Sequence, residues 1–321
     1  MSPAGSYNDD MSDAVHPFGS DAPHPESSPP ESSGSQDASG AADHPHVLRL
    51  GCVSFLNAKP LIEGASYSGY ASVHYDVPSR LLDDLLQGRF DVALCPVMDL
   101  FLSPEPLRIV PAGCIGCDGP TYTVRLYSRV PIEQVQTIYA DTDSHTSVAL
   151  LQLLFRMRFG RTPKLIDYHA RERVAEGKIV DNPEAMLLIG DKVVTDSPPA
   201  VTYPHQLDLG EAWKQQTGLP FVFAVWMTRE GTDLGDLPER MSVLRQRNLH
   251  PERLGAIVER HAPVHGWPTD LAYRYLGEIL QFDFDQAKFD AVRSFADRLV
   301  EHHMLTHPRE LSLYPCETTL A

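Results

Sequence analysis

Short apolar runs alternate with amphipathic segments from residue 47 to about residue 227. This alternation predicts βαβ units and mainly parallel sheets. Strands are expected at 47–55, 72–77, 90–94, 107–110, 121–128, 137–140, 164–168, 185–189 and 221–227. Helices are expected between them at 79–87, 147–159 and 209–216, and then in an all-helical end at 237–247, 251–262, 269–281 and 285–302.

The length of this patterned region predicts two lobes, because about 270 ordered residues exceed a comfortable single core. Two long predicted strands, 121–128 and 221–227, flank the middle block and would be the crossings between lobes. Lobe one would then hold residues 47–125 and 226–321, and lobe two residues 126–225. A cleft between the lobes is where a ligand would be expected to bind.

The first 46 residues differ in composition from the rest of the chain. They contain eight acids and no Lys or Arg, and they are rich in Ser, Pro and Gly. Such a segment cannot bury a core, so residues 1–46 are predicted to be a disordered acidic tail. The segment has neither the basic start nor the apolar run of a secretory signal. Leu50-Gly51-Cys52 is a poor lipoprotein site, because Arg49 stands where an apolar residue is needed.

The charge and hydropathy of the chain argue against some classes of binding partner. The chain carries 27 Lys and Arg against 43 Asp and Glu, and about half of its formal charge of −16 lies in the tail. A mildly acidic folded part argues against binding to nucleic acid or to an anionic membrane surface. No apolar run approaches the roughly 18 residues of a membrane span. We therefore expect a cytoplasmic protein that binds a small molecule, with its oligomeric state left open.

The cysteines are odd in number and scattered, which fits reduced thiols in a cytosolic protein. They are Cys52, Cys95, Cys114, Cys117 and Cys316. The spacing of Cys114 and Cys117 matches redox and zinc motifs, but no second Cys pair or close His pair supplies the other ligands. The favoured interpretation is a tight Gly-rich turn packed with small residues, and no metal site is predicted.

Polar residues follow the first predicted strand, within Val53–Leu61. Ser54, Asn57 and Lys59 would lie at the carboxyl end of a strand and before a helix, where open α/β sheets bind ligands. Asn57 has a second interpretation as a turn residue that bonds its own backbone. Its amide does not titrate, so a functional Asn57 would orient a substrate by hydrogen bonding and would not act as a base.

Asp, Thr and Ser residues cluster at 141–147, where the long helix at 147–159 opens. One such residue suffices as an N-cap. Hydroxyls and free N–H groups at a helix start also suit a carboxylate, so anion binding and capping both remain open for this cluster. The candidate ligands are Ser144, Thr146 and Ser147. His145 titrates near neutral pH but is expected to be a loop residue.

Two later features are also candidates for the cleft. Asp191 follows the predicted buried strand 185–189, where it would either face the cleft or cap the next helix. Four aromatic side chains would either line a wall for a flat ring or fill the core, as is more common. They are Trp213, Phe221, Phe223 and Trp226.

Several segments in order together resemble one family. They are Val53–Leu61, Gly116–Pro120, Ser144–Ser147, Leu188–Asp191 and the stretch from Asp208 to Trp226, of which Thr217–Trp226 is the most specific. This conjunction, spanning residues 47 to about 230, is similar to the chorismate dehydratases of the futalosine route to menaquinone. That family has the fold of type II periplasmic binding proteins. The resemblance implies an α/β fold with two lobes, mixed and mainly parallel sheets, an interdomain cleft and a helical C-terminus.

The resemblance also implies an activity. The family converts chorismate to 3-[(1-carboxyvinyl)oxy]benzoate and water, with no metal or organic cofactor, and the carboxylate on the substrate's own enolpyruvyl arm is the implied base. Its catalytic Asn falls on Asn57, and its active-site Ser falls on Thr123, which keeps the hydroxyl but adds a stiffening methyl group. The expected substrate ligands are Ser54, Ser144, Thr146, Ser147 and Asp191.

Three other functions remain open at this point. The companion enzyme that makes 1,4-dihydroxy-6-naphthoate shares the fold but would require a titratable base. A non-enzymatic solute-binding protein would require an export signal. The effector domain of a regulator would normally accompany a DNA-binding module, and none is evident.

Removal of residues 1–46 is expected to leave the fold and the activity unchanged, because that segment carries too few apolar side chains to take part in a core. Thermal unfolding and turnover of the truncated and full-length chains provide the measurement. A truncated protein that is insoluble or inactive would contradict this expectation.

Overall fold

The computed structural model describes residues 47–66, 69, 71–141, 143–307 and 309–316. The predicted acidic tail at residues 1–46 therefore lies outside the described residues. The strands are β1 (Leu48–Val53), β2 (Ala71–Asp76), β3 (Val92–Pro96), β4 (Leu107–Cys117), β5 (Val124–Ser128), β6 (Thr137–Asp141), β7 (Lys164–Tyr168), β8 (Val174–Ala175), β9 (Lys178–Ile179), β10 (Ala185–Ile189), β11 (His205–Asp208), β12 (Phe221–Arg229) and β13 (Leu280–Gln281).

Helices connect these strands and form the C-terminal part. They are α1 (Lys59–Ile62), α2 (Pro78–Leu86), α3 (Asp99–Leu102), α4 (His145–Phe159), α5 (Lys192–Thr195), α6 (Leu209–Thr217), α7 (Leu237–Leu249), α8 (Pro251–His261), α9 (Thr269–Arg274) and α10 (Gln286–Glu301). A 3₁₀ turn at Leu56–Ala58 precedes α1, and a π-helix at Tyr275–Ile279 follows α9. The predicted helical C-terminus is confirmed.

Two sheets organise the fold. A six-stranded sheet has the order β13-β4-β12-β3-β1-β2, and a five-stranded sheet has the order β11-β5-β10-β6-β7. The α/β class and the mixed character of the sheets are confirmed. The expectation of mainly parallel pairing is wrong, because β12 and β13 in the larger sheet, and β5 and β11 in the smaller one, run antiparallel to their neighbours.

The parallel pairs join β1 to β2 and β3, and β6 to β7 and β10. Their carboxyl ends deliver the loops that begin at Ser54, Val97 and Gly190. Strands β3 and β10 are buried along their whole length, as expected for central strands covered on both faces. Loops at this edge of an α/β sheet are therefore held by a rigid, buried frame.

The tight turn predicted at Cys114 and Cys117 is wrong, because both residues belong to strand β4. It continues through Cys114 and Cys117, where the sequence predicts a tight turn, and pairs along this stretch with β12. Gly116 allows the close approach, since a Cβ atom there would lie 2.9 Å from the carbonyl oxygen of Phe221. Both thiols are fully buried, and burial raises the pKa of Cys114 to about 12. A protonated, enclosed thiol is unsuited to redox or zinc chemistry.

Each of the two large sheets takes its strands from particular stretches of the chain. Strands β1 to β4, β12 and β13 form the larger sheet, and β5 to β7, β10 and β11 form the smaller one. Strand β12 pairs with β3 and β4 from residue 221 to residue 229, so it belongs to the larger sheet as a whole. The lobe boundaries at residues 125 and 225 stay a prediction.

A buried acid joins the elements of the two sheets next to α4. Asp99 is completely buried, and its Oδ1 lies 2.6 Å from Nδ1 of His145. The adjacent N–H of Met98 donates to Oγ1 of Thr146 at 3.0 Å. The hydrogen bond and charge of Asp99 raise the pKa of His145, with a smaller contribution from Asp83. The ion pair thus stabilises the fold most when the imidazole is protonated.

We expect the stability advantage of the wild type over His145→Gln to shrink as the pH rises from about 6 to about 8. Because the pKa of His145 is raised in the folded protein, its contribution is complete below the unfolded pKa and is lost above the folded one. The advantage should stay below about 1 kcal/mol, because the imidazole is partly exposed. Urea unfolding across this range measures it, and a pH-independent difference would contradict the expectation.

Candidate functional site

A cavity that is open at its mouth lies between the two sheets. Most of its wall is apolar, with Phe55 and Phe223 as the aromatic residues. Its polar side chains come from the loop after β1, the turn before β5 and the start of α4. They are Asn57, Thr121, Thr123, Ser144 and Ser147. This mixture of an apolar wall with a few polar groups is typical of a small-molecule site.

Asn57 reaches the cavity because the chain leaves β1 through a short 3₁₀ turn. Phe55, two residues earlier, packs against Gly190 at the end of β10. Gly190 has φ +61°, and a Cβ atom there would lie 3.2 Å from the Phe55 ring. Glycine is required on both counts, since an L-residue disfavours that conformation and its Cβ would crowd the ring. The two loops therefore meet at close range.

The turn that carries Thr123 is held by Asp208 at the end of β11. The carboxylate of Asp208 accepts hydrogen bonds from the N–H groups of Thr121 at 2.9 Å and Tyr122 at 2.7 Å. It also caps α6 by accepting from the N–H of Glu211. Tyr122 has φ +68°, a conformation that non-glycine residues adopt at a cost. The bonds to Asp208 hold this conformation and so place Thr123 in the cavity wall.

Tyr275 is a site residue that the sequence does not reveal. Its phenol oxygen lies 2.6 Å from Oγ1 of Thr123, and the Asn57 side chain is its second hydrogen-bonding neighbour. Burial raises the pKa of Tyr275, and these two hydrogen bonds offset only part of that effect. Tyr275 therefore stays protonated. Asn57 and Thr123, which the sequence proposes separately, are brought together through this phenol.

The residues of the cluster at 141–147 separate into different contacts. Asp141 and Asp143 bind Lys192, at 2.5 and 2.7 Å. Burial alone would lower the pKa of Lys192, and the two carboxylates more than offset this, so its pKa is raised. The carboxylates of this cluster are therefore paired with a cation outside the cavity lining. Thr142 lies outside the described residues.

The start of α4 faces the cavity through two serines. Oγ of Ser144 accepts from the N–H of Ser147 at 3.3 Å and from its hydroxyl at 3.1 Å. Ser144 is thus an N-cap and a lining residue at the same time. Thr146, in contrast, is fully buried against Met98 and does not line the cavity. Only the two serines, of the three candidate anion ligands, reach the site.

Asp191 connects three parts of the chain and is not a simple cap. It makes no capping bond to α5. Its carboxylate accepts from the N–H of Leu56 at 3.3 Å, from Nδ1 of His265 at 2.8 Å and from Nε1 of Trp267 at 2.9 Å. Its side chain lies behind the cavity wall, where the neighbouring Gly190 is exposed to the cavity. The structure therefore places Asp191 as a support for the site.

Two polar residues near Asn57 lie elsewhere. Ser54 is exposed and is not among the lining residues. Lys59 is buried, and its ammonium group lies 4.5 Å from the centre of the Tyr75 ring. Burial lowers the pKa of Lys59. Neither side chain lines the cavity in this conformation, although both belong to the same loop as Asn57.

The aromatic residues are mostly core, with one exception. Trp213, Phe221 and Trp226 are buried, and the first two pack edge-to-face at 5.2 Å. Phe223 packs on Phe221 at 4.7 Å and also lines the cavity. Of the four aromatic residues proposed as a wall, Phe223 therefore lines the cavity. The other aromatic residue of the lining is Phe55, from the loop after β1.

Charge is absent from the lining of this cavity. Among the described residues that form it, none is Asp, Glu, Lys, Arg or His. Within the described ranges, no group of three or more His, Cys, Asp and Glu residues comes together as a metal site. A ligand here would meet hydroxyls, one amide, backbone groups and apolar surface. Such a site can orient and stabilise a reacting molecule but offers no ionised side chain as a base.

Comparison with known proteins identifies the family. The sequence profile of the family described as "Menaquinone biosynthesis" matches residues 48–301. The chain belongs to this family. A chorismate dehydratase of Thermus thermophilus is 30% identical over 229 residues, which cover 67% of this chain and 80% of the relative. The residues matched by the family profile include every residue that lines the cavity, and the family predicted from the sequence is confirmed.

Solved structures support the fold at low sequence identity. A Candida albicans protein with the generic periplasmic binding protein fold is 10% identical, with a TM-score of 0.61 over 85% of this chain and 99% of that protein. The alkanesulfonate-binding protein SsuA of Xanthomonas axonopodis pv. citri is 15% identical, with a TM-score of 0.58 over 83% of this chain and 96% of that protein. The periplasmic-binding-protein-like fold is thereby confirmed.

In the part of the chain that the structure describes, no helix is both long enough and apolar enough to cross a bilayer.

Asp208→Ala is expected to lower the free energy of unfolding by about 1–3 kcal/mol, because it leaves buried N–H groups of the Thr121–Tyr122 turn without an acceptor. Asp208→Asn keeps one acceptor oxygen and should lose less. Urea unfolding measures both. The matched control is Asp118→Ala, which removes an exposed acid paired with Lys214 and should cost about 1 kcal/mol or less. Equal losses for Asp208→Ala and Asp118→Ala would contradict the role of Asp208.

Proposed function

We propose that this protein is a chorismate dehydratase, a hydro-lyase that converts chorismate to 3-[(1-carboxyvinyl)oxy]benzoate and water in menaquinone biosynthesis. The observation that carries the proposal is the 30% identity to the Thermus thermophilus chorismate dehydratase over most of both chains. The lining of the cavity supports it independently, since an apolar wall with polar groups at a few points suits a ring that carries polar substituents.

The uncharged lining fits this reaction. Loss of a ring hydrogen and a ring hydroxyl makes the ring aromatic, which drives the reaction forward. The proton from the ring passes to the substrate's own enolpyruvyl carboxylate and from there to the departing hydroxyl, which leaves as water. The protein then has to fold the arm over the ring and hold it, and orientation of this kind can supply roughly 7–11 kcal/mol of a barrier at best.

Individual residues have distinct proposed roles. The hydroxyls of Ser144 and Ser147, at the start of α4, would bind a substrate carboxylate, with help from the helix dipole. Asn57 and Thr123 would hold the arm and the leaving hydroxyl. Ser54 and Thr146, expected from the sequence as substrate ligands, lie outside the lining and have no contact role in this proposal.

The alternatives receive less support. A 1,4-dihydroxy-6-naphthoate synthase would require a titratable base, and the lining residues described include no Asp, Glu, His or Lys. Similarity to an alkanesulfonate-binding protein concerns the fold alone at 15% identity. The cytoplasmic location predicted from the sequence stays a prediction, which cell fractionation would test.

The direct test is incubation of the purified protein with chorismate, followed by mass spectrometry. We expect a product lighter than chorismate by one water, with the ultraviolet absorbance of an aromatic ring. An unchanged substrate at high protein concentration would contradict the proposed function. A product formed equally by a boiled sample would show spontaneous decomposition instead.

Asn57→Ala is expected to lower kcat at least about a hundredfold, as for the loss of one preorganised polar group in a buried site. Asn57→Asp should be as slow, because a new carboxylate would repel those of the substrate. Steady-state kinetics with chorismate measure both variants. An Asn57→Ala variant as active as the wild type would rule out the proposed role of the amide.

Thr123→Val is expected to lower kcat markedly at nearly equal side-chain shape, because only the hydroxyl is lost. Thr123→Ser should be tolerated, because it keeps the hydroxyl. The matched control is Thr228→Val, which also removes a buried hydroxyl bond, to the carbonyl of Asp91 at 2.8 Å, away from the cavity. If Thr123→Val keeps wild-type kcat, Thr123 has no part in the chemistry.

A further inference from the structure

We propose that Tyr275 is a positioning residue, which orients the Thr123 hydroxyl as a donor toward the substrate. This inference rests on the proposed function, because it assigns a direction to a polar group of that site. Its basis is the placement of one buried phenol between Thr123 and Asn57.

The contact between Tyr275 and Thr123 is short and enclosed. Their oxygens are 2.6 Å apart, and the two side chains are 1% and 3% exposed. A hydrogen bond between hydroxyls at this distance, away from water, restricts the rotation of both O–H groups. Since Tyr275 does not itself line the cavity, it acts on a bound ligand through its neighbours.

The number of available protons determines the direction of the hydrogen bonds that join Asn57, Tyr275 and Thr123. Among the described residues, Oδ1 of Asn57 is buried without a hydrogen-bond partner, so the amide NH₂ group is the part that contacts the phenol. An amide NH₂ can only donate, and the phenol oxygen therefore accepts from Asn57. The one phenol proton then has Oγ1 of Thr123 as its acceptor. The Thr123 hydroxyl proton is left to point into the cavity.

This order gives Thr123 a defined role. Its hydroxyl presents a donor, suited to the oxygen of the leaving hydroxyl, which gains negative charge as its bond to the ring breaks. Reversing the bond between the phenol and Thr123 would leave the phenol proton without an acceptor in a buried place, at a cost that disfavours it.

The ring of Tyr275 is itself held in place. It stacks on the indole of Trp267 with centroids 4.7 Å apart and an angle of 21°. The indole N–H donates to Asp191 at 2.9 Å, and the Tyr122 ring lies 6.4 Å from Tyr275 on another side. Tyr275 also opens a π-helix, a local irregularity that occurs frequently at functional sites. The phenol is therefore delivered by a rigid support.

The test is Tyr275→Phe, which removes the hydroxyl and keeps the stacked ring. We expect kcat for chorismate to fall about tenfold, less than for the loss of a group in direct contact with the substrate, with KM changed less than about twofold. The matched control is Tyr203→Phe, in which the lost phenol is equally buried but donates to the carbonyl of Pro183 at 2.7 Å. Equal kcat for the two variants would overturn the proposal and leave the proposed function standing.

A double-mutant comparison separates positioning from general support of the structure. If Tyr275 acts through Thr123, Tyr275→Phe should slow the wild type but not the Thr123→Val variant, since the group that it orients is already gone. A merely structural role would lower kcat by the same factor in both backgrounds. Equal factors would therefore contradict the proposal, even if the single variant is slow.

A measurement that does not depend on turnover distinguishes failure of the positioning proposal from failure of the proposed function. The NH₂ resonances of Asn57, assigned by comparison with Asn57→Ala, should shift in Tyr275→Phe and stay in place in Tyr203→Phe. If the wild type fails to convert chorismate, the proposed function falls while this shift still decides whether the phenol orients Asn57. Unshifted Asn57 resonances in Tyr275→Phe would overturn the positioning claim under either outcome.

Discussion

The buried carboxylate of Asp191 is the interaction on which the geometry of the cavity depends. It receives the N–H of Leu56, next to Asn57, and the indole N–H of Trp267, on which Tyr275 stacks. The N–H of its neighbour Gly190 donates to the carbonyl of Thr123 at 2.9 Å. Asp191 and its neighbour Gly190 together thus locate three side chains that are far apart in the chain. A buried acid is costly unless its oxygens are satisfied, so its donors are held firmly in return.

The second constraint is the absence of ionised groups from the described cavity lining. Carboxylates, a lysine and a histidine occur near it, but each is paired behind the wall, as in Lys192 with Asp141 and His145 with Asp99. Hydroxyls and an amide in an apolar surrounding interact strongly with a charged ligand because water does not compete. This arrangement suits a substrate that carries its own base, since an ionised protein acid nearby would repel it or take its proton.

Sequence reasoning could reach the elements whose pattern is local. The observed bounds of β7 and β10 agree with the predicted ones, and the helical C-terminus follows from amphipathic periodicity. Strand β4 extends past its prediction, because Cys114 to Cys117 combine a glycine with small residues that are equally typical of a turn. Its pairing with β12, more than a hundred positions away, decides the matter.

The residues of the site also divide into those that sequence reasoning reaches and those that it does not. Asn57, Ser144 and Ser147 could be proposed from motifs that stand at the ends of predicted elements, and Thr123 could be proposed from the family resemblance alone. The structure brings all four to one cavity. Tyr275 could not, because it lies 152 positions from Thr123, within a segment that reads as a plain helix. The sequence points to the loop that carries Asp191, but the residue neither lines the cavity nor caps α5. Its partners His265 and Trp267 come from a distant connection that no local signal links to it.

The most direct test of this account is a crystal structure of the slowed Asn57→Ala variant with chorismate bound. The account predicts electron density for the ring between the walls formed by Phe55 and Phe223. It also predicts one carboxylate within hydrogen-bonding distance of Ser144 and Ser147, and an oxygen of the substrate at the Thr123 hydroxyl. An empty cavity at saturating chorismate, or a chorismate whose carboxylates bind ionised side chains at another place on the protein, would contradict it.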